Sequence, residues 1–166
     1  MYSGMMNKRT KALFFDIDGT LLSEKTRRVP ESAVKALSQA RERGHLVFIN
    51  TGRVFAHLTE IRSQVEADGF LCGCGTCVVA EGRVLYHYHI PHERGLAIKR
   101  DIDACGLDGA LEGMEGVYVH RTPSRLPQVE QLKADLQKSD SVSPYSWEVD
   151  CYDFDKFFIG SDEKSQ

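Results

Sequence analysis

The sequence has no long apolar run, no run of basic residues and no large excess of charge of one sign. Its 166 residues carry a formal net charge of −3, and no lysine–arginine run is longer than a pair such as Arg27-Arg28. A nucleic-acid-binding surface is not expected, because it requires clustered basic side chains. Apolar stretches such as 12–15 are too short to cross a bilayer, and residues 1–11 lack the apolar core of a secretory signal. We therefore expect neither a nucleic-acid partner nor a membrane.

The five cysteines give no sign of a disulfide framework. Their odd number, without a recognisable secretory signal, indicates reduced thiols and a cytoplasmic location. Cys72, Cys74 and Cys77 are spaced like ligands of a soft metal, but no second close pair follows to supply the four ligands of a closed zinc site. Free thiols at a buried strand end are the favoured interpretation. Metal binding is the alternative, and the same choice applies to His87 and His89 on a polar strand face.

The first 75 residues alternate short apolar runs with segments of helical periodicity. Apolar residues make up 42% of the sequence and charged residues 27%, as in a folded globular protein. Each apolar run ends in polar residues or glycine, as buried parallel strands do. The predicted order is strand 11–16, helix 30–44, strand 45–50, helix 55–65 and strand 70–74. This alternation predicts an α/β fold with a Rossmann-like parallel sheet.

After Gly75 the order of elements changes to that of an α+β unit. A hairpin turn is predicted at Glu81-Gly82 between two β-rich runs. Helices and strands then follow over residues 91–105, 116–120, 126–138 and 154–160. We therefore predict two domains, with residues 1–75 in the first and residues 76–166 in the second.

The most informative stretch is Asp16-Ile17-Asp18-Gly19-Thr20. Two aspartates follow the first strand at its carboxyl end, where open α/β sheets bind ligands. Carboxylates in such a place repel each other and cost desolvation energy, and a divalent cation removes both penalties. Mg²⁺ is the expected cation, since it prefers oxygen ligands and keeps substrate phosphate in its shell. A plain turn would explain Asp18-Gly19, but it would not explain Asp16.

These residues resemble motif I of the haloacid dehalogenase-like (HAD) superfamily, whose form D-x-D-G-T-L-L is matched by residues 16–22. Thr51-Gly52-Arg53 resembles the T-G-R form of that superfamily's motif II. The motif spacing and the change at Gly75 are similar to the Cof-type branch, in which a type IIB α+β cap is inserted into the core. The resemblance implies a partial HAD core over residues 1–75 and an incomplete cap over residues 76–166.

The resemblance implies a role for each motif residue. Asp16 is the expected nucleophile, and Asp18 is the expected general acid/base, its pKa raised by the charge of Asp16. Mg²⁺ is expected on a carboxylate oxygen of Asp16 and on the backbone carbonyl of Asp18. Thr51 is expected to bind phosphate through its hydroxyl or to cap the next helix, and the Gly52 amide to add a helix dipole. Arg53 is a candidate substrate ligand.

The resemblance also implies parts that this sequence does not contain. The superfamily's motif III lysine and its acidic motif IV follow the cap, and no G-D-x-x-N-D pattern occurs after Gly75. We therefore expect a C-terminally truncated chain, with a natural short form or a degenerate binding module as alternatives. We also expect an exposed edge on the core sheet and, through it, self-association.

The expected function is Mg²⁺-dependent hydrolysis of a small phosphomonoester, such as a sugar phosphate, through an aspartyl-phosphate intermediate. The expected partner is therefore a small phosphorylated metabolite. A phosphomannomutase-like phosphotransferase is the alternative within the same class. A phosphate- and Mg²⁺-binding module without turnover is the alternative from a different class.

Overall fold

A computed structural model describes residues 9–23, 25–139 and 143–160, and their strands form two sheets. The first sheet contains β1 (Ala12–Phe15), β2 (Leu46–Asn50), β3 (Gly69–Cys72), β4 (Cys77–Ala80) and β5 (Arg83–His87), in that spatial order. Strands β1, β2 and β3 are parallel, and the hairpin β4-β5 continues the sheet in antiparallel fashion. The first sheet is therefore an α/β core whose three parallel strands follow the predicted order.

Two helical segments connect the parallel strands. Helix α1 (Glu31–Glu42) joins β1 to β2, and a 3-10 turn (Phe55–Leu58) followed by α2 (Thr59–Gln64) joins β2 to β3. The predicted single helix over residues 55–65 is wrong in this detail, because Leu58 at the junction leaves helical dihedral angles (φ −106°, ψ 2°). The core between sheet and helices contains the fully buried side chains Ile17, Val47, Ile49, Leu58 and Ile61.

The predicted hairpin is present, but it belongs to the first sheet. Its turn residues Glu81 and Gly82 both have positive φ (51° and 70°), which a two-residue type I′ turn requires. Cys72 of β3 lies opposite Cys77 of β4, so the sheet continues directly across the predicted boundary at Gly75. The change from parallel to antiparallel pairing marks a hairpin added to the same sheet. The break between the two sheets comes after β5.

The second sheet is antiparallel and carries two helices. It contains β6 (Asp108–Glu112), β7 (Val117–Val119) and β8 (Lys156–Gly160) in the order β7-β6-β8, with α3 (His92–Ala104) and α4 (Pro127–Lys138). The predicted last strand is confirmed, and it pairs with β6 rather than with the first sheet. Strand β6, the central strand, was not among the sequence predictions.

The two sheets meet beside the segment that follows β2. Val54 from this segment packs in one buried cluster with Ala110, Val117 and Leu136 from the second sheet and α4. Burial of these apolar side chains favours the contact between the two parts of the chain. The segment that carries Thr51 therefore lies where both parts can contact it.

Strand β1 is an edge of the first sheet among the described strands. Phe14 on this strand is 55% exposed, although its ring stacks on Phe48 with centroids 5.0 Å apart. The expected exposed edge is therefore present, and self-association through it stays a prediction. Of the helices in the described ranges, none has the length and apolar character needed to cross a membrane.

Candidate functional site

The parallel sheet brings the two predicted motifs together. Phe15 of β1 lies opposite Ile49 of β2, so Asp16 and Thr51 follow within two residues at the same edge of the sheet. The loop after β1 is tight, because the Ile17 carbonyl accepts hydrogen bonds from the amides of residues 20, 21 and 22. The Ile17 side chain is fully buried, whereas Asp16 and Asp18 on either side of it are exposed. One buried residue thus turns both carboxylates toward the solvent-facing edge.

Asp16 has the surroundings that a nucleophile needs. Its carboxylate makes no hydrogen bond or ion pair with any described residue, and it is exposed at the end of β1. A carboxylate with no protein partner keeps its lone pairs available for an electrophile or a cation. The structure therefore leaves the predicted nucleophile accessible.

Asp18 is paired with Arg53 in a two-point contact. Arg53 Nη2 donates to Asp18 Oδ1 at 2.6 Å, and Arg53 Nε donates to Asp18 Oδ2 at 2.9 Å. The hydrogen bond from Arg53 lowers the pKa of the Asp18 carboxyl from its ordinary value, outweighing the opposing effect of partial burial. The expected rise in this pKa from the charge of Asp16 is therefore wrong for this geometry. Arg53, predicted as a substrate ligand, contacts the predicted acid/base directly.

The turn 51–53 is held by a hydrogen bond to the side chain of its first residue, Thr51. Thr51 is 4% exposed, and its Oγ1 accepts a hydrogen bond from the Arg53 amide at 3.2 Å. The 3-10 turn begins only at Phe55 and has Val54 at its N-cap. Thr51 therefore does not cap a helix here, and the Gly52 amide does not lie at a helix N-terminus. The prediction that the Gly52 amide contributes a helix dipole is therefore wrong, although Gly52 does lie in the turn.

Two residues near this turn were not among the site residues predicted from the sequence. Lys156, the first residue of β8, donates from Nζ to the Gly52 carbonyl at 3.0 Å. The second is His57, whose pKa is affected by the charges of Arg53, Asp18 and Lys156. Burial lowers its pKa to about 4, with Arg53 as the next cause and a smaller contribution from Lys156. Both residues are far in sequence from motif I, and no local pattern marks them.

A cavity of about 410 Å³ opens beside the turn, between α4 on one side and the loop after β1 and α2 on the other. Its lining includes Arg53, His57 and Leu22 from the first part of the chain, and Leu132 and Asp135 from α4. This space is large enough for a small organic group next to the Asp18–Arg53 pair. The larger cavity of about 530 Å³ lies against the first sheet and is lined by none of the predicted site residues.

The oxygen donors at the motif fit Mg²⁺ better than a soft metal. Asp16 offers an unpaired carboxylate, and oxygen ligands of this kind are the ones that Mg²⁺ prefers. No group of three or more His, Cys, Asp or Glu side chains is placed to share a metal within residues 9–23, 25–139 and 143–160. Cys72 and Cys77 are buried in neighbouring strands while Cys74 is exposed in the intervening turn.

Comparison with known proteins places this geometry in a family. The model of the haloacid dehalogenase-like hydrolase family matches residues 13–165 of the chain. The chain therefore belongs to the haloacid dehalogenase-like hydrolases, as the two motifs predicted.

Individual relatives agree with this assignment. YkrA of Bacillus subtilis (strain 168), whose name proposes a phosphatase activity, is 34% identical over 135 residues, which cover 80% of this chain and 52% of YkrA. Pyridoxal phosphate phosphatase YbhA of Escherichia coli (strain K12) is 32% identical over 80 residues, or 48% of this chain and 27% of YbhA. The chain thus matches about half the length of YkrA and about a quarter of YbhA.

Solved structures share the fold. The HAD subclass IIB sugar phosphatase BT4131 superposes with a TM-score of 0.66 at 30% identity, over 84% of this chain and 54% of that one. The phosphatase BT1666 from Bacteroides thetaiotaomicron superposes with a TM-score of 0.61 at 32% identity, over 82% of this chain and 51% of that one. The Rossmann-like parallel core predicted from the sequence is therefore confirmed.

Proposed function

We propose that this chain carries the nucleophile part of a Mg²⁺-dependent phosphatase that hydrolyses a small phosphomonoester, such as a sugar phosphate. The observation that supports this proposal most is the exposed, unpaired carboxylate of Asp16 next to the turn of Thr51. The names of the relatives YbhA and BT4131 support the phosphatase class and a small phosphorylated substrate.

The proposed reaction has two phosphoryl transfers. In the first, a carboxylate oxygen of Asp16 forms a bond to phosphorus while the ester P–O bond breaks, and the leaving alkoxide takes a proton from Asp18. In the second, water attacks phosphorus, the bond from phosphorus to the Asp16 oxygen breaks, and Asp18 accepts the proton from water. The Thr51 hydroxyl donates to a phosphate oxygen throughout, since its Oγ1 already accepts from the Arg53 amide.

The contact with Arg53 favours the second transfer. It holds Asp18 in its charged, proton-accepting form. Delivery of a proton in the first transfer therefore requires that Asp18 leave Arg53. Mg²⁺ on the Asp16 carboxylate and the Asp18 carbonyl would neutralise part of the negative charge that gathers around phosphorus.

The proposal is tested by p-nitrophenyl phosphate and sugar-phosphate hydrolysis, with and without Mg²⁺. Because the chain matches about half of YkrA, the assay uses the longest natural polypeptide that contains this sequence. We expect Mg²⁺-dependent turnover that Asp16→Asn lowers by roughly a thousandfold or more, since removal of a covalent nucleophile blocks both transfers. Asp101→Asn, which changes an exposed aspartate of α3, is the matched control and should keep wild-type activity.

Two other outcomes would decide against parts of the proposal. Turnover that survives Asp16→Asn unchanged would show that Asp16 is not the nucleophile. Binding of phosphate with Mg²⁺ but without turnover would instead favour the non-catalytic module.

A further inference from the structure

Lys156 is the one described residue of the second sheet whose side chain is hydrogen-bonded to the Thr51–Arg53 turn. It lies in β8 directly opposite Glu112 of β6. The Glu112 side chain is buried and forms an ion pair with the Lys156 ammonium. A buried carboxylate needs such a partner, because an unpaired buried charge is costly. The ion pair thus holds the ammonium end of the Lys156 side chain in place.

The same ammonium group also contacts a residue that follows β2 of the first sheet. Its Nζ donates to the backbone carbonyl of Gly52 at 3.0 Å, a contact between residues 104 positions apart. An ammonium group has three N–H donors. One of them is used by Gly52, and the ion pair with Glu112 also holds the group beside the turn.

The Gly52 carbonyl belongs to the same peptide group as the Arg53 amide. A peptide group is planar and trans, so its C=O and N–H point in opposite directions and rotate together. The C=O of this group accepts from Lys156, and its N–H donates to Thr51 Oγ1 at 3.2 Å. Lys156 therefore holds the Gly52–Arg53 peptide group in one orientation. The N–H of that group, in turn, orients the Thr51 hydroxyl.

The charge of Lys156 adds to this geometric effect. A cation at the carbonyl oxygen polarises the peptide group and makes its N–H a stronger donor to Thr51. The Thr51 O–H then becomes a better donor to an anion. Because Thr51 is nearly fully buried, its hydroxyl has few alternative orientations in which to escape this alignment.

We propose that Lys156 is a positioning residue of the phosphate site, acting through the Gly52–Arg53 peptide group to align the Thr51 hydroxyl with substrate phosphate. The proposal rests on the proposed phosphatase function. It means that the phosphate-binding turn of the first sheet is completed by a residue of the second sheet.

Lys133 offers a matched control for this proposal. Its Nζ also donates to one backbone carbonyl, that of Thr122 at 2.8 Å, and to one carboxylate, that of Glu130 at 3.0 Å. These contacts are all in the second part of the chain, away from the turn. Lys156→Met and Lys133→Met therefore each remove a hydrogen bond to a backbone carbonyl, an ion pair with a carboxylate and one positive charge, but only the first change is made beside the turn.

The measurements are calorimetric titration with inorganic phosphate in the presence of Mg²⁺, and the KM and kcat for p-nitrophenyl phosphate. We expect Lys156→Met to weaken phosphate binding and to raise KM on the order of tenfold, as loss of a charge-assisted hydrogen bond does. The kcat should change much less, because Thr51 binds phosphate in the ground state and the transition state alike. Lys156→Arg should recover most of the loss, and Lys133→Met should show none.

A purely structural role for Lys156 would give a different pattern. Both methionine variants would then melt at lower temperature, and both would bind phosphate as the wild-type protein does, which would overturn the proposal. If Lys156→Met does not fold, the double variant Lys156→Met/Glu112→Gln removes the uncompensated carboxylate and serves in its place. Its phosphate affinity should be lowered by a similar factor.

Failure of the proposed function would be distinguishable from failure of this inference. A wild-type protein that neither binds nor hydrolyses phosphate would overturn the proposed function, and this inference with it. A wild-type protein that does both, with a Lys156→Met variant that matches it, would overturn the inference alone.

Discussion

The contact between Arg53 and Asp18 should have a measurable coupling energy. Two unit charges at 4 Å attract by about 1 kcal/mol in water and by about 4 kcal/mol near a protein surface of lower effective dielectric. The Asp18 side chain is 53% exposed and that of Arg53 is 19% exposed, so the lower half of this range applies. Ordering two side chains removes part of the gain. The two-point geometry leaves a net coupling of about 1 kcal/mol.

The assay is a double-mutant cycle of urea unfolding with Arg53→Met, Asp18→Asn and the double variant. A matched control is the cycle of Arg83→Met with Glu81→Gln, because this pair has a similar N–O distance of 2.9 Å but side chains that are 72% and 78% exposed. We expect about 1 kcal/mol for the first cycle and less than about 0.3 kcal/mol for the second. Equal coupling energies in the two cycles would refute this account of the site.

The pH dependence of the first cycle has a definite sign. The pKa of Asp18 is lowered in the folded protein from an ordinary value of 3.8. The stabilisation is therefore complete above that value and is lost as the pH falls through the folded pKa. The coupling energy should be constant between pH 6 and pH 8. In the activity assay, Arg53→Met should raise the pKa of Asp18 and move the descending, alkaline limb of the kcat/KM profile to higher pH.

Two further predictions concern the fold and the half-buried histidine His57. Gly109→Ala should destabilise the protein by about 3 kcal/mol in urea unfolding, because the added Cβ would lie 1.8 Å from the Phe158 carbonyl oxygen. The control is Gly106→Ala, whose Cβ would meet no atom within 4 Å. It should lower the free energy of unfolding by only about 1 kcal/mol, because Gly106 has a positive φ. Burial first, and the charge of Arg53 second, lower the pKa of His57 to about 4, so the unfolded chain binds a proton that the folded chain rejects between about pH 4 and pH 6.5. Stability should fall by roughly 2 kcal/mol as the pH drops through this window, and His57→Gln should abolish that part of the fall.

The parallel core could be predicted because its signals are local. Each strand is an apolar run that ends in polar or turn-forming residues, and the rule for parallel strands then places their carboxyl ends at one edge. This rule agrees with the resemblance to the HAD motifs, which implied that Asp16 and Thr51 belong to one site. The same rule could not place the hairpin, because antiparallel pairing follows equally from a new unit and from a continued sheet.

Strand β6 was missed for a physical reason. Its sequence, from Asp108 to Glu112, contains no β-branched or aromatic residue, so its intrinsic tendency to form a strand is weak. It is extended because β7 and β8 pair with it on both sides and bury it. Partners that lie far along the chain decide its conformation, and no local window contains them.

The side-chain contacts of the site could not be predicted from local sequence patterns for the same reason. Arg53 and Asp18 are 35 residues apart, and Lys156 and Gly52 are 104 residues apart. The motif resemblance predicts which residues carry the chemistry, but it did not show that Arg53 lowers the pKa of Asp18. That effect depends on side-chain distances that only the folded chain defines.

The order of strands in the first sheet has a consequence for how the protein forms during synthesis. Each of its strands after β1 pairs with the strand that precedes it along the chain, so pairing can proceed as the polypeptide leaves the ribosome. The second sheet cannot form in this way, because its central strand β6 pairs with β8, which is synthesised more than forty residues later. Nascent chains that have released residues up to His87 should therefore already resist protease, while those that stop before Lys156 should still be cut within the second half.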